Sequence, residues 1–433
     1  MNKNNPQGRA GKQKVTVGRL AAASSIGTAL EWYDFTIYNI MAALVFNHVF
    51  FPDFDPLVGT ILAFSTYAVG YISRPLGGFI FGHLGDVAGR KIVLMVTLVI
   101  MGITTALMGV LPGYQAWGVW SPILLVSLRF IQGVALGGEW AGAVLLSMEH
   151  GDADKRGRNA SFAQVGPSCG TLIGTGIITL VTVLISVDSF QDWGWRIPFL
   201  LSLVLVVCGL WVRRGVEETP DFVEMQQQEK TAEMPLKEVF VNYPKQLLIA
   251  GGSRVGADVM YALVVVFTLT YVTTVLHLPR PLALIATMLG AIGNAITVPV
   301  FGALSDKWGR RPVYMAGAVL AIAWSFIFFG LLNSEEPVLI VLAVIGGLQV
   351  HAMMYGPQAS FITEQFPTHV RYAGSSLAYT LAGIVGGGFA PLIITSLFKS
   401  TGTTLWVSLY VSLALLVTLL ALWKAKETAY RRQ

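Results

Sequence analysis

Charged residues are scarce in this chain, where Asp, Glu, Lys and Arg make up only 12% of the 433 residues. A soluble protein of this length carries about 25%. The shortage goes with 54% hydrophobic residues and a mean hydropathy of +0.64. These values argue against a soluble protein and predict one that resides in a lipid bilayer. The net charge of +5 then indicates basic cytoplasmic loops rather than nucleic-acid binding.

Cysteine is scarce as well. The chain has two, Cys169 and Cys208, and both lie within apolar runs, so the sequence offers no disulfide framework and no metal cluster. We expect no metal ion and no cofactor. A nucleophile–base spacing, a phosphate loop and an ion-filter motif are also missing, and we therefore expect no catalytic residue and rank a membrane enzyme or a channel last. Because the N-terminus has no signal-type cleavage site, the first apolar run is expected to be retained as a span.

Long apolar runs are what the chain does have. Each is long enough, or nearly so, to cross about 30 Å of hydrocarbon as a helix. Helices are expected because a backbone in lipid must satisfy its own hydrogen bonds. The twelve runs lie at approximately 19–46, 57–81, 92–112, 121–148, 159–187, 195–212, 246–276, 282–304, 313–333, 337–361, 374–398 and 402–423.

Basic residues indicate the orientation of these spans. Lys and Arg cluster in the N-terminal segment, in the even-numbered connections and in the C-terminal tail, whereas the odd-numbered connections carry mainly acids. Because cytoplasmic loops are enriched in Lys and Arg, both termini are predicted to lie in the cytoplasm. We expect a multi-pass protein of a bacterial inner membrane.

Two segments repeat. The stretches "GHLGDVAGRK" (82–91) and "GALSDKWGRR" (302–311) share Gly, Leu, Asp, Gly and Arg in register at an offset of 220 residues, each after the second helix of a six-helix half. The sequence therefore predicts an all-α membrane protein with twelve transmembrane helices in two pseudo-symmetric six-helix bundles. Such halves with a site between them are typical of transporters. The predicted parts are an N-terminal tail (1–18), a first bundle (19–212), a cytoplasmic linker (213–245), a second bundle (246–423) and a C-terminal tail (424–433).

Several charged and polar residues lie inside the predicted spans. A charge there costs about 2.5–3.5 kcal/mol, so it usually faces a cavity or a partner. Counted at about 1.5 Å per residue, most of them fall at the depth where such transporters bind substrate. The charged set is Glu31, Asp34, Arg74, Arg129, Glu139, Arg254 and Asp258, and its polar companions include Tyr38, Asn294, Gln349, His351 and Tyr379.

These residues suggest two roles. A carboxylate whose surroundings alternate between water and a dry cavity can take up and release a proton; our candidates are Asp34 first, Glu31 second and Glu139 third. Arginine offers a two-pronged fork for a substrate carboxylate, which favours Arg129 and Arg254. The rest of the predicted substrate site is Arg74, Asp258, Asn294, Tyr38, Gln349 and Tyr379.

Structural alternatives remain open for each charge. Arg254 and Asp258 are four residues apart and can simply neutralise each other, and Arg74, the nearest base by depth, can be a fixed partner of Glu31 or Asp34. Adding the 220-residue offset of the repeat to Asp34 gives Arg254, so an acid in the first half corresponds to a base in the second. The predicted core is thus symmetric in position but not in charge, which suits an anionic or zwitterionic substrate together with a proton.

Several motifs carry a family resemblance. The pattern G-x-L-x-D-x-x-G-R-[KR] in each half resembles the signature loop of the major facilitator superfamily, as "RFIQG" (129–133) resembles its helix-4 motif. The stretches "EWYDF", "SRPLGG", "GGEW", "WGWRIPF", "EETPDF" and "FPTHVRYAGSS" are similar to the metabolite:proton symporter family, with permeases for shikimate, 2-oxoglutarate, and proline or betaine. The likeness covers roughly residues 18–425. It implies proton-coupled transport of a small polar metabolite without naming one.

The two repeated loops are predicted to be gates. Aspartate there can bond the N-terminus of a neighbouring helix, glycine permits the tight turn, and arginine can pair with a carboxylate across the bundle. Such contacts would close the cytoplasmic side. The predicted gating residues are Asp86, Gly89, Arg90 and Lys91 in the first half and Asp306, Gly309, Arg310 and Arg311 in the second.

The leading prediction is uptake of a small organic acid or zwitterion by proton symport, with a small-molecule substrate, protons and the bilayer as partners, no nucleic acid, and a monomeric state. The alternative is a proton-coupled exporter, since "GPSCG" (166–170) partly resembles the Gly-Pro motif of drug:proton antiporters. An osmosensing carrier ranks third, because the tail after Trp423 is too short for a coiled coil.

Overall fold

The computed structural model describes residues 17–78, 80–81, 90–137, 139–149, 153–214, 235–367 and 370–429. In this part of the chain every regular element is helical, and twelve long helices follow the predicted runs in order. We number them α1 to α12 by their main segments: α1 Val17–Met41, α2 Pro56–Ile72, α3 Arg90–Val110, α4 Trp120–Ala135 and Glu139–Glu149, α5 Arg156–Ala163 and Val165–Leu184, α6 Arg196–Arg214, α7 Pro244–Tyr261, α8 Arg280–Trp308, α9 Arg310–Leu332, α10 Pro337–Glu364, α11 Arg371–Gly383 and Ala390–Thr401, and α12 Thr404–Lys424.

Most of these helices are long and apolar enough to cross a membrane. Within the described residues nine meet that condition outright, and a tenth candidate joins Val187–Gly194 to Arg196–Trp211 with a bend of 52°. A shorter apolar helix, Met95–Val110, lies in α3. A short helix, Pro235–Asn242, precedes α7. The predicted boundaries of the linker stay predictions, because residues 215–234 lie outside the described part.

The duplication is visible in the backbone. α1 continues into a π-helical turn at Ala42–Phe46, and α7 continues into one at Ala262–Phe267, the same place under the 220-residue offset. The packing repeats too, since α2 lies against α4 and α8 lies against α10. Turns of this kind are frequent at functional sites. The two halves meet along α5 with α8 and along α2 with α11.

Glycines let α1 and α5 approach closely. A Cβ at Gly166 would lie 1.8 Å from Thr28 Oγ1, and one at Gly170 would lie 2.4 Å from the carbonyl oxygen of Ala29. Pro167 lacks the N–H that would otherwise bond the Ala163 carbonyl, and Thr28 Oγ1 donates to that carbonyl at 3.0 Å instead. The "GPSCG" stretch is therefore a close-packed proline site, and α5 is interrupted just before it, at Gln164.

A glycine pair of α4, Gly133 and Gly137, has the same use. A Cβ at Gly133 would lie 2.0 Å from the Gly70 carbonyl oxygen, and one at Gly137 would lie 2.1 Å from the Arg74 carbonyl oxygen. Small residues at this spacing allow helix backbones to pack directly in lipid. Gly142, further along α4, has room for a side chain, with Tyr372 at 3.7 Å, and Gly138 lies outside the described residues.

Candidate functional site

A small central cavity, about 30 Å³ in volume, lies between the two halves. Seven helices from both halves contribute to its wall, and most of the side chains are aromatic or polar. The lining residues are Trp32, Asn39, Tyr67, Tyr71, Pro167, Asp258, Tyr261, Ala262, Val266, Asn294, His351, Tyr355, Gly387 and Pro391. Two predicted site residues, Asp258 and Asn294, are among them.

Asp34 lies in a sealed network beside this cavity. Its Oδ2 accepts from Arg129 Nη1 at 3.0 Å, and its Oδ1 accepts from Thr105 at 2.5 Å. Gln132 donates to the same threonine hydroxyl at 2.8 Å and accepts from Arg129. The Arg129 guanidinium lies 3.3 Å from the centre of the Tyr38 ring, a cation–π contact. Arg129 is completely buried, so the charge of Asp34 is balanced entirely within the first half.

Glu31 makes a second buried ion pair with Arg74, at 3.0 Å between Oε1 and Nη2. The Arg74 guanidinium also lies over Phe35 and Tyr71, at 4.6 and 4.3 Å from the ring centres. Of the two partners left open for Arg74, the structure pairs it with Glu31, and Asp34 pairs with Arg129 instead. Residues three apart on α1 point about 60° apart, which is enough to direct the two acids to different helices.

The second half has one central ion pair. Arg254 Nε lies 2.8 Å from Asp258 Oδ2, one turn along α7. The guanidinium also donates to the Tyr379 carbonyl and lies 3.3 Å from the centre of the Tyr379 ring. Tyr379 in turn stacks on Trp140 of the first half, with centres 3.8 Å apart and planes at 9°. Arg254 is thus held at the contact between the halves.

Polar side chains also join the halves across the cavity. Ser168 of α5 donates to Asn294 Oδ1 at 2.7 Å, and Asn294 donates to the Leu348 carbonyl at 2.6 Å. Tyr261 and Thr171 share a hydrogen bond of 2.6 Å between their hydroxyls. These bonds connect α5 with α7, α8 and α10, so the wall of the cavity changes when the halves move apart.

Three buried polar atoms of the cavity wall make no hydrogen bond with the described residues. One is Asp258 Oδ2, which lies in the ion pair with Arg254, and the others are Asn39 Oδ1 and the Tyr355 hydroxyl. Leaving such a group unsatisfied costs about 1–3 kcal/mol, so positions of this kind are suited to a ligand or water. A hydroxyl or ammonium group of a ligand would satisfy the Asn39 oxygen.

The remaining predicted site residues lie around this centre. Glu139 begins the second segment of α4, next to Trp140, and is buried. Tyr38, whose ring contacts the Arg129 guanidinium, shares a hydrogen bond with Thr66. Gln349 accepts from Thr297 of α8 at 2.7 Å and does not line the cavity. His351, two residues after Gln349 on the same helix, does line the cavity, because two positions along a helix rotate the side-chain direction by about 200°.

Sequence reasoning missed most of the aromatic wall. Trp32, Tyr67, Tyr71, Tyr261 and Tyr355 lie among many other apolar residues, and nothing in their spacing separates them from lipid-facing ones. One available signal was the tyrosine hydroxyl, which needs a partner or a cavity when it lies in the middle of a membrane.

The second-half loop lies at one end of the bundle, which we call the signature end, together with the start of α5 and the end of α10. Asp306 accepts from the backbone N–H groups of Gly157 and Arg158 at 2.8 and 3.0 Å, which caps α5 of the other half. Arg310 pairs with Asp306 at 2.6 Å and with Glu364 at 3.2 Å. The predicted bond of the aspartate to a neighbouring helix is present.

The two other predicted residues of this loop have clear positions. Gly309 has a φ of +98°, where glycine is favoured. Arg311 donates to the carbonyls of Leu422 and Trp423 at 2.8 and 3.1 Å. In the first-half loop, Asp86 and Gly89 lie outside the described residues, and so do the side chains of Arg90 and Lys91.

The opposite end of the bundle is joined by one exposed ion pair. Lys399 of α11 donates to Asp55 Oδ1 at 2.7 Å, which connects the second half to the loop before α2. This hydrogen bond, assisted by the backbone N–H groups of Val58 and Leu57, holds the pKa of Asp55 below its ordinary value. The contact is solvated and therefore weak. Both ends of the cavity are bridged, one strongly and one weakly.

Two repeated helical halves around a central cavity that contains polar side chains are typical of a membrane transporter. The profile of the Major Facilitator Superfamily matches residues 24–391 and 257–432. The shikimate transporter of Escherichia coli (strain K12) is 43% identical over 383 residues, 88% of this chain and 87% of that protein. The proline/betaine transporter of the same strain is 34% identical over 422 residues, 94% and 83% of the two chains. The chain therefore belongs to the Major Facilitator Superfamily, among its metabolite permeases, and is not an enzyme.

Two further comparisons agree. The inner membrane metabolite transport protein YhjE of Escherichia coli (strain K12) is 37% identical over 418 residues, 95% of each chain. Among solved structures, the proton:xylose symporter XylE bound to 6-bromo-6-deoxy-D-glucose aligns with a TM-score of 0.74 over 95% of this chain and 96% of that one. At 17% identity this likeness shows the fold alone. It confirms the predicted all-α fold of two six-helix bundles.

Proposed function

We propose that the protein is a proton-coupled symporter that takes up a small organic acid or zwitterion by alternating access. The observation that carries this proposal is the placement of two kinds of buried ion pair beside one closed cavity. Asp34–Arg129 is sealed inside the first half, and Arg254–Asp258 borders the cavity from the second. The first pair is suited to binding a proton, and the second is suited to binding a charged solute.

The cavity chemistry supports a substrate with an acid group and hydrogen-bond donors. Among the lining residues that the structure describes, Asp258 alone is charged, and its partner Arg254 lies directly behind it. A substrate carboxylate that reaches Arg254 would replace Asp258 on the guanidinium fork. Asn39 Oδ1 would accept from a hydroxyl or ammonium group, and the aromatic wall would cover the apolar face. Shikimate, proline and betaine, named by the relatives, are the compounds to try first.

Asp34 remains our first candidate for the proton carrier, with Glu31 second and Glu139 third. Asp34 accepts hydrogen bonds on both oxygens, from Thr105 and from Arg129. Protonation would weaken the ion pair with Arg129, a helix-4 residue that packs against α1. A change of charge at this carboxylate would therefore be transmitted to the contact between two helices of the first half.

The two bridged ends are the proposed gates. At the signature end, which we assign to the cytoplasm of a bacterial inner membrane along with both termini, Asp306 and Arg310 connect the halves. The repeat suggests the same task for Asp86, Gly89, Arg90 and Lys91. Opening this end would break the Asp306 contacts with α5, and opening the other would break Asp55–Lys399.

The experiment is uptake into proteoliposomes with an imposed inward proton gradient. Labelled shikimate, proline, betaine and simple carboxylates are offered in turn, and accumulation is followed with and without an uncoupler. We expect at least one to be concentrated above its external level and released by the uncoupler. Protein-free liposomes and Asp34→Asn are the controls.

The exporter alternative makes the opposite prediction. An antiporter would drive a preloaded solute out of the vesicles under the same gradient and would concentrate none inside. The glycines that suggested export pack α5 against α1, a use that serves transport in either direction. Export without uptake would overturn the symport proposal.

A further inference from the structure

The C-terminal tail contacts a helix other than the one that it follows. After α12 ends, the side chain of Glu427 reaches the first turn of α9. Its Oε1 accepts from the backbone N–H of Arg310 at 2.9 Å, and its Oε2 accepts from that of Arg311 at 3.0 Å. These are two of the N–H groups that a helix start leaves without internal partners. The tail therefore caps a helix that is remote in sequence.

The need for this cap comes from the sequence of the loop. The residue before α9 is Gly309, whose φ of +98° favours glycine and which has no side chain to cap the helix itself. A carboxylate at a helix start is also favoured by the helix dipole. Arg311 completes the exchange by donating to the last carbonyls of α12 at 2.8 and 3.1 Å. The ends of α9 and α12 thus stabilise each other.

The next tail residue extends the contact to the gate. Thr428 donates to Glu364 Oε2 at 2.5 Å, and Glu364 pairs with Arg310 at 3.2 Å. Arg310 pairs with Asp306, which caps α5 of the other half. A continuous set of polar contacts therefore leads from the tail to the boundary between the halves.

Glu427 is charged whenever the protein is in a near-neutral medium. Burial alone would raise its pKa, but backbone N–H groups of Ala429, Arg310, Arg311 and Thr428 more than offset this and hold the pKa below its ordinary value. The tail contact is therefore expected not to depend on pH in the near-neutral range.

We propose that Glu427 and Thr428 form a C-terminal clasp that positions Arg310 and thereby favours the state closed at the signature end. Glu427 is a positioning residue in this scheme and touches no substrate. Without it, Arg310 is held less firmly, the contact of Asp306 with α5 is weaker, and the carrier opens more often at this end.

The test measures opening at both ends with single cysteines. In a background with Cys169→Ala and Cys208→Ala, Ser161→Cys reports on the signature end, because Ser161 is fully buried against Gly302 of the other half. Thr395→Cys reports on the opposite end; Thr395 is buried on α11, one turn beyond the cavity residue Pro391. Labelling by an impermeant maleimide is followed in membranes of each orientation.

Glu427→Ala is expected to raise labelling at position 161 by about five- to thirty-fold, the range of a lost helix cap. Labelling at position 395 is expected to stay level or fall. Glu427→Gln keeps an acceptor oxygen and should give a smaller rise. Thr428→Val, which removes only the bond to Glu364, should also give a smaller rise. Lys426→Ala is the matched control, since this side chain is exposed.

Three results would overturn the clasp. Equal rises at both positions would mean general loosening, and a lower melting temperature with unchanged labelling at position 161 would mean that the tail only stabilises the fold. An effect of Lys426→Ala as large as that of Glu427→Ala would remove the specific role of the carboxylate. Because labelling needs no substrate, the test is independent of the proposed transport reaction.

Discussion

The two halves of the protein share a backbone plan but treat their buried charges differently. In the first half, both central ion pairs connect separate helices, Arg74 to Glu31 and Arg129 to Asp34. In the second half, Arg254 and Asp258 are neighbours on one helix. Exposure differs as well: Asp258 is 8% exposed and lines the cavity, whereas Asp34 is 2% exposed and does not.

This difference indicates how a duplicated unit can divide two tasks. The π-helical turns after α1 and α7 occupy equivalent positions, so the repeat has preserved the shape of the helices. The residue equivalent to the acid Asp34 is the base Arg254. Protonation of a carboxylate that is paired with another helix can shift the packing of the two helices. A base that lies behind a cavity-lining carboxylate can bind an anion. We propose this division of labour between the halves.

The largest expected effect is that of Asp34→Asn. The amide cannot take up a proton, so uphill uptake should be lost altogether, while exchange of labelled for unlabelled substrate should persist because it needs no net proton transfer. A gradient of 100 mV is worth about 2.3 kcal/mol per charge, or tens-fold accumulation, so the loss is easy to measure in proteoliposomes.

Glu31→Gln is the matched control for this variant, since it changes an acid of the same helix that has a different partner. It should retain some uphill uptake if Asp34 carries the proton. Normal accumulation by Asp34→Asn together with complete loss in Glu31→Gln would move the proton to the other pair.

Arg254→Lys should have the next largest effect and should act on affinity. Lysine keeps a charge beside Asp258 but loses the planar fork. Hydrogen bonds to charged groups are worth about 1.5–3 kcal/mol, so the KM of substrate exchange should rise at least about tenfold with a smaller change in maximal rate. Arg129→Lys is the comparison in the other half, and a larger rise in KM there would reverse the proposed division.

Much of this arrangement could be predicted from the sequence because helical rise is regular. Counting residues along each span predicts a similar depth for Asp34, Arg74 and Arg254. The partners could not be predicted in the same way. Asp34 pairs with Arg129, 95 residues away. This choice depends on how α1 is rotated about its axis, which hydrophobic periodicity does not define because α1 has no distinct apolar face.

The tail shows a second limit of sequence reasoning. The segment after Trp423 was informative only as a basic end too short for a coiled coil. Its cap on α9 spans 117 residues, and capping motifs are recognised from local spacing. The only local hint is negative, a helix start at Arg310 that follows glycine instead of a capping side chain.

The smallest expected effect is that of Tyr355→Phe, and it is the most specific test of the cavity. The Tyr355 hydroxyl makes no close hydrogen bond among the described residues, although it interacts with Tyr379, so its removal should change the melting temperature of the substrate-free protein little. If a bound substrate uses it, one hydrogen bond of about 1 kcal/mol is lost, and KM should rise about fivefold.

Tyr271→Phe is the matched control, because the Tyr271 hydroxyl bonds Asn333 at 2.7 Å, away from the cavity. That variant should lower stability slightly and leave KM unchanged. Equal KM values in all three proteins would mean that the substrate does not reach α10, and the site would then lie closer to the charges of the first half.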